Sequence, residues 1–141
     1  MSKTGKSHPR HAERCEAFCL LFEQIFQKES IETLLKDAQD ARDLTIGPYA
    51  AQVAKGVNEH MEEIDGHIEK HLRGWRKNRI SKVALTIMRI CVYEMLYEKD
   101  VPVSVSINEA VEIAKEYATP ADGSYVNGVL GAVAKSLRSE G

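Results

Sequence analysis

The sequence predicts an all-α fold, and three observations carry that prediction. Apolar residues recur at three- and four-residue spacing along most of the 141 residues, with few β-type alternations. Only four prolines interrupt them. The third observation is the stretch from Ser81 to Tyr97, SKVALTIMRICVYEMLY, whose apolar residues fall on every side of a helical wheel. A helix with no broad solvated face is buried by other helices. Lys82, Arg89 and Glu94 interrupt it, and it falls short of the roughly 20 mostly apolar residues that cross a bilayer. It therefore reads as the central helix of a soluble domain, and Arg89 and Glu94 need partners, because an unpaired interior charge is costly.

A chain of this length makes one domain with its own core and needs no metal or disulfide staple. Residues 1–7 are polar and basic and read as disordered, 8–75 as an N-terminal helical half and 80–138 as a C-terminal one. Ser7 can cap a first helix that has Pro9 in its first turn. Cys15, Phe18, Cys19, Phe22, Ile25 and Phe26 form a stripe expected to face the core. Ser30 caps a second helix through Ile31, Leu34, Leu35, Ala38 and Leu44, ending before Gly47-Pro48. A long third helix is expected from Tyr49 to Trp75, with Gly56 and Gly66 leaving room for a bend, and a basic connector, Gly74 to Ser81, leads into the central helix. Ser106-Ile107-Asn108-Glu109 reads as a capping box opening the next helix. Thr119 to Ser124 reads as a loop, and a last helix begins near Tyr125 and frays after Arg138.

The formal net charge is only -2, but the charge is segregated. Lys3, Lys6, Arg10 and Arg14 face a single acid, Glu13, near the start, and residues 70–82 hold six basic residues and no acid. A basic minority on an acidic protein suits a polyanion site and limits indiscriminate sticking; solvated helix ends are the plain alternative. Arg10, His11 and Arg14 lie near a helix N-terminus, where the dipole opposes cations. That placement points to an anionic ligand such as phosphate.

Three cysteines, an odd count without a secretory signal, indicate a reducing cytosol. Cys15 and Cys19 read as small core residues rather than metal ligands. His60, Glu63, His67 and His71 line one helix edge, and two imidazoles one turn apart can share a zinc. Here, however, Glu69 stands one place too late to be the general base of an H-E-x-x-H helix, so an exposed histidine stripe is the plainer reading. Phosphate-loop, dinucleotide, C-x-x-C and G-x-S-x-G signatures are all absent.

The last third carries VSINEAVEIAKEY (Val105 to Tyr117) and YVNGVLG (Tyr125 to Gly131). These closely resemble the I-N-E-A-[VI]-E-[LI]-A-K and F-V-N-G-V-L-D segments of the transcription antitermination factor NusB family. Met88-Arg89-Ile90 and Val92-Tyr93-Glu94-Met95 match the family's L-R-[IL] and x-Y-E-L, and Arg10, Arg14, Ala17 and Leu21-Phe22 match its first helix more loosely. The resemblance implies about seven helices in two small packed bundles, no catalysis and no cofactor. It also implies binding of boxA-type RNA together with the ribosomal protein NusE, and joining of the RNA polymerase elongation complex with other Nus factors in ribosomal RNA transcription. Lys6, Arg10, His11 and Arg14 with Ser124 and Tyr125 would then contact RNA, the Tyr125 ring replacing the usual phenylalanine as a stacking surface. Phe22 and Glu23 would edge the partner surface, on the face shared by the first and central helices. The family's opening arginine run is thinned here, and Ala84 and Leu85 stand where the family is often charged. Asn108 and Asn127 match the family motifs, and their expected job is to bond backbone at helix starts and between helices.

Two rivals come from other classes. One is a stand-alone helical module of RNA modification, and the other is a metal-dependent hydrolase built on His60, His67 and His71. A cytoplasmic protein with no membrane partner is expected in each case, and monomer and homodimer are both open.

Overall fold

The computed structural model describes residues 9–41, 46–72 and 80–140, which hold seven α-helices and, among the described residues, no strand. The helices are α1 (Pro9–Gln27), α2 (Ile31–Ala41), α3 (Pro48–Glu59), α4 (Met61–Glu69), α5 (Lys82–Tyr97), α6 (Val103–Tyr117) and α7 (Pro120–Glu140). They fall into two compact units that divide between Asn58 and Glu59. The expected roles of Ser7 and Leu44 and the connector 73–79 lie outside the described residues.

In the first unit, α1 opens on Pro9, whose missing N–H costs nothing in a first turn. It stops where Lys28 takes a left-handed conformation, φ 57°, with its N–H donating to Gln24 O at 2.8 Å. Ser30 caps α2 as expected, its Oγ accepting from Thr33 N at 3.0 Å. Ile31, Leu34 and Ala38 make the buried face of α2.

The expected core stripe of α1 is corrected by rotation. Phe18 is buried, but Cys15, Phe22 and Ile25 are half-buried and Cys19 and Phe26 are exposed. The face turned inward is Arg14, Ala17, Phe18, Leu20 and Leu21. Apolar side chains cover a wide arc of this helix, so periodicity alone does not choose among them. Packing against α2 makes the choice.

The N-terminus of α3 is held by carboxylates from α1. Glu13 Oε1 accepts from Tyr49 N at 2.7 Å and Ala50 N at 3.0 Å, and Glu16 Oε1 accepts from Gly47 N at 3.0 Å. These are N–H groups that a helix start otherwise leaves without partners, and the carboxylate also complements the helix dipole. A side chain at Gly47 would run into the Glu13 carboxylate and displace the group that holds the start of α3.

The long helix expected from Tyr49 to Trp75 is interrupted just after the division between the units. His60 leaves helical geometry at φ -116° and ψ 23°, ending α3 and opening α4. Its carbonyl still accepts from Ile64 N at 2.9 Å. Its ring stacks on Tyr97 with centroids 4.1 Å apart, a contact that offsets part of the lost helical bonding. The break therefore falls at a histidine and not at Gly56 or Gly66, both of which stay inside helices.

α5 is buried as its composition requires: every residue from Ala84 to Met95 except Arg89 is buried, against α4, α6 and α7. Ser81 caps it, Oγ accepting from Ala84 N at 3.0 Å. Arg89 makes a two-pronged pair with Asp65 of α4, with Nε to Oδ1 and Nη2 to Oδ2 both 2.8 Å. The fixed fork of a guanidinium matches a carboxylate in this geometry. Glu94 accepts from Ser106 Oγ at 2.6 Å.

That last bond overturns the capping box. Ser106 is buried inside α6, which starts a turn earlier with Pro102 as its N-cap and Pro102 O accepting from Val105 N and Ser106 N. The serine hydroxyl serves the interior carboxylate instead of the helix end. Likewise α7 begins at Pro120, one turn before the expected start, with Thr119 Oγ1 accepting from Asp122 N at 3.1 Å. It runs on to Glu140. Among the described residues no helix is long and apolar enough to cross a membrane.

Candidate nucleic-acid interface

Two arginines of the first unit, Arg10 and Arg14, are arranged around one aromatic ring. Arg10 is exposed and its guanidinium carbon lies 3.8 Å from the centroid of Tyr49; that of Arg14 lies 5.9 Å from the same ring. A guanidinium over an aromatic face is attracted by its quadrupole, by about 0.5–1 kcal/mol at an exposed site. Arg10 thus holds a fixed position while its outer edge stays open to solvent. Arg14 differs, being only 4% exposed. His11 is half-buried, with Nε2 3.6 Å from Cys15 Sγ. Lys6 lies outside the described residues.

Ser124 and Tyr125 belong to the second unit and sit in the first turns of α7, not in a loop. Ser124 is exposed. Tyr125 is half-buried, and its hydroxyl donates to Leu72 O at 3.2 Å. Burial pushes its pKa above the ordinary value of 10.0, so it remains a donor throughout the neutral range. The tethered hydroxyl fixes the ring's orientation, which is what a stacking surface needs.

Asn108 and Asn127 do not do the backbone work expected of them. Both are exposed and neither bonds another described residue. They line one cleft of about 490 Å³ between α6 and α7 that also includes Lys115 and Ser124. The reason is the earlier start of α6 and α7: Asn108 and Asn127 fall within helices, on solvent faces, where no free backbone group is in reach.

On the C-terminal half of α1, Phe22 sits between Phe18, at 5.6 Å and stacked, and Phe26, at 5.1 Å and edge-on. Phe22 and Glu23 are half-buried, and Glu23 accepts from Gln27 Nε2 at 2.8 Å. Phe26 at 59% exposed extends the row of rings into solvent. The histidine edge begins at the break before α4, and its first two members are engaged with each other and with Tyr97. His60 is committed to the Tyr97 ring, and Glu63, 3.9 Å from His60 Nδ1, accepts from the Tyr97 hydroxyl. His67 and His71 are half-buried on α4 and just after it.

Two features escaped the sequence. Tyr49 as the platform for Arg10 joins residues far apart in the chain, and nothing in local spacing announces it. The second is the cleft shared by Asn108 and Asn127: both stand in the family motifs, but their common location depends on where α6 and α7 begin.

Guanidinium, ring and carboxamide groups displayed on a scaffold that is all-α among the described residues make up the candidate site, and the fold class is that of a small helical protein in two units. The NusB family model matches residues 11–135. The transcription antitermination protein NusB of Acetivibrio thermocellus is 44% identical over 128 residues, covering 89% of this chain and 88% of the relative. T. maritima NusB superposes with a TM-score of 0.79 at 36% identity, covering 90% of this chain and 91% of its own. NusB in a solved complex of the antitermination factors NusB and NusE with dsRNA gives 0.80 at 28%, covering 90% and 96%. The chain belongs to the NusB family.

Proposed function

We propose that this protein is a transcription antitermination factor that binds boxA-type RNA together with the ribosomal protein NusE and joins the elongating RNA polymerase with other Nus factors, in the cytoplasm and without catalysis. The observation that carries this reading is the family match across residues 11–135, which takes in both units. A relative solved with NusE and dsRNA supports the two partners. The chemistry of the exposed residues agrees with that role. Arg10, with His11 beside it, supplies phosphate contacts from the first unit, and Ser124 and Tyr125 supply base and sugar contacts from the second. Arg14, buried against Tyr49, acts chiefly by shaping the surface that presents Arg10. Phe22 and Glu23 serve the protein partner.

The test is RNA titration across a salt series, with NusE present. Arg10→Ala should weaken binding and flatten the slope of log K against log salt by about 0.7, one phosphate contact on single-stranded RNA. Tyr125→Ala should weaken binding with the slope unchanged, because stacking releases few counterions. Wild-type affinity and slope in Arg10→Ala would remove Arg10 from the interface. For the partner surface, Glu23→Lys should reduce NusE capture, and unchanged capture would count against it.

A further inference from the structure

We infer that the cleft between α6 and α7 is a reading pocket for one unstacked RNA base, with the carboxamides of Asn108 and Asn127 as its reading groups. The inference deepens the function proposed above and rests on it.

Four observations point the same way. The cleft, at about 490 Å³, is within the size range of sites that enclose small ligands, roughly 300–1,000 Å³. Its polar equipment is mostly uncommitted: Asn108 and Asn127 are exposed, and neither bonds any other described residue. A carboxamide presents a donor and an acceptor side by side, the pattern that matches a base edge, where adjacent donor and acceptor atoms alternate. Val111 and Ala118 give the same cleft apolar wall for the flat face of a base, and Lys115 gives it a cation for the phosphate. Lys115 pairs with Glu112 at 3.2 Å, but on an exposed surface, where such a pair is weak and readily exchanged for a phosphate.

Ser124 lines the cleft with Gly123 and Asn127, whereas the ring of Tyr125, the next residue after Ser124, turns to another side of α7, where its hydroxyl meets Leu72 O. An RNA strand that contacts the start of α7 can stack one base on Tyr125 and, after rounding Ser124, place another in the cleft. Single-stranded RNA is read in this way, by splaying bases out of the stack and bonding their free edges. The two asparagines then have a reason to be exposed polar residues with no internal partner. Stacking supplies affinity, and the carboxamide pair supplies sequence preference at one position.

The experiment uses the full chain with NusE and measures binding of a boxA-type RNA oligonucleotide and of a set in which each base in turn is replaced by an abasic site. Wild type, Asn108→Ala and Asn127→Ala are compared by fluorescence anisotropy, with circular dichroism melts alongside. Removing the base that occupies the cleft should weaken wild-type binding roughly 5- to 100-fold. The asparagine variants should show a loss of similar size on intact RNA and almost no further loss on that one abasic oligonucleotide. All other abasic sites should cost variant and wild type alike. Equal losses at every position, or wild-type discrimination in both variants, would overturn the pocket and leave the RNA-binding function standing. Weakened capture of NusE with RNA contacts unchanged would make the cleft a protein surface and also overturn it. If wild type with NusE binds none of the oligonucleotides, the function proposed above fails, an outcome distinct from all of these.

Discussion

Along α5 every residue from Ala84 to Met95 except Arg89 is buried, and Arg89 and Glu94 are each held by a side chain from another helix. Along α1 the inventory is inverted: the Arg14 side chain is buried while the Phe26 ring is 59% exposed. Both helices are rich in apolar residues, so composition does not explain the difference. The number of neighbours does. α5 is enclosed by α4, α6 and α7, and any polar group it carries must be satisfied inside. α1 has an apolar arc wider than its unit covers, and the surplus, the row Phe18, Phe22 and Phe26, runs from core to solvent. A saturated helix stabilises a unit; a helix with apolar surface to spare can serve a partner as well. Phe22 and Glu23 lie where that surplus begins.

The sharpest way to break this comparison is to remove one member of the α5 pair. Asp65→Ala leaves the Arg89 guanidinium mostly buried without its carboxylate, and the loss should be about 3–5 kcal/mol in a urea melt. Phe26→Ala is the control from the other region: despite the larger side chain, it should change stability by less than about 0.5 kcal/mol. A loss of about 3 kcal/mol or more in Phe26→Ala would mean that the ring is core, and the contrast between the two helices would collapse.

A smaller effect sharpens the comparison within the first unit. Glu13 accepts from two N–H groups at the start of α3 and thereby fixes Tyr49, the ring beneath Arg10. Glu13→Ala should cost about 1–3 kcal/mol, and amide exchange at Tyr49 and Ala50 should accelerate ahead of the rest of the unit. Glu13→Gln, which keeps a carbonyl oxygen at the same place, should recover part of the loss. Unchanged exchange at both amides in Glu13→Ala would show that α3 holds its own start.

The burial of α5 and the pairing of Arg89 and Glu94 were legible in the sequence because an all-round apolar helix leaves no choice of face. The family was legible in two short segments of α6 and α7. What was not legible shares one cause: the sequence shows which residues can do a job, not which one the packing selects. Ser106 can cap a helix, and its hydroxyl is used by Glu94 instead. His60 sits in a continuous helical pattern, yet a ring contact with Tyr97 goes with a break there. Arg14 has the charge of an RNA contact, and a place in the core of its unit. The candidate RNA residues on α7 were found by motif, whereas the cleft beside them appears only once the helix starts are known.

The smallest predicted effect lies at that break. Tyr97 donates to the Glu63 carboxylate, and its pKa is raised above 10.0 first by that hydrogen bond, then by burial, then by the negative charge of Glu63. A group whose folded pKa exceeds its unfolded value stabilises the fold while it is protonated. Its contribution is complete below about pH 10 and is lost as the pH climbs through the folded value. Ionised Tyr97 would lose its bond and set a second negative charge against Glu63. The stability difference between wild type and Tyr97→Phe should therefore be constant from pH 7 to about pH 9 and shrink above about pH 10. Subtracting the variant removes the alkaline response of Tyr125, whose raised pKa acts in the same direction. Because Phe keeps the ring, the stack with His60 survives the substitution, and only the hydroxyl is tested. A difference that grows above pH 10 would show that the hydroxyl is not held by Glu63 in solution. The ring contact with Tyr97 would then be what remains to hold His60 at the start of α4.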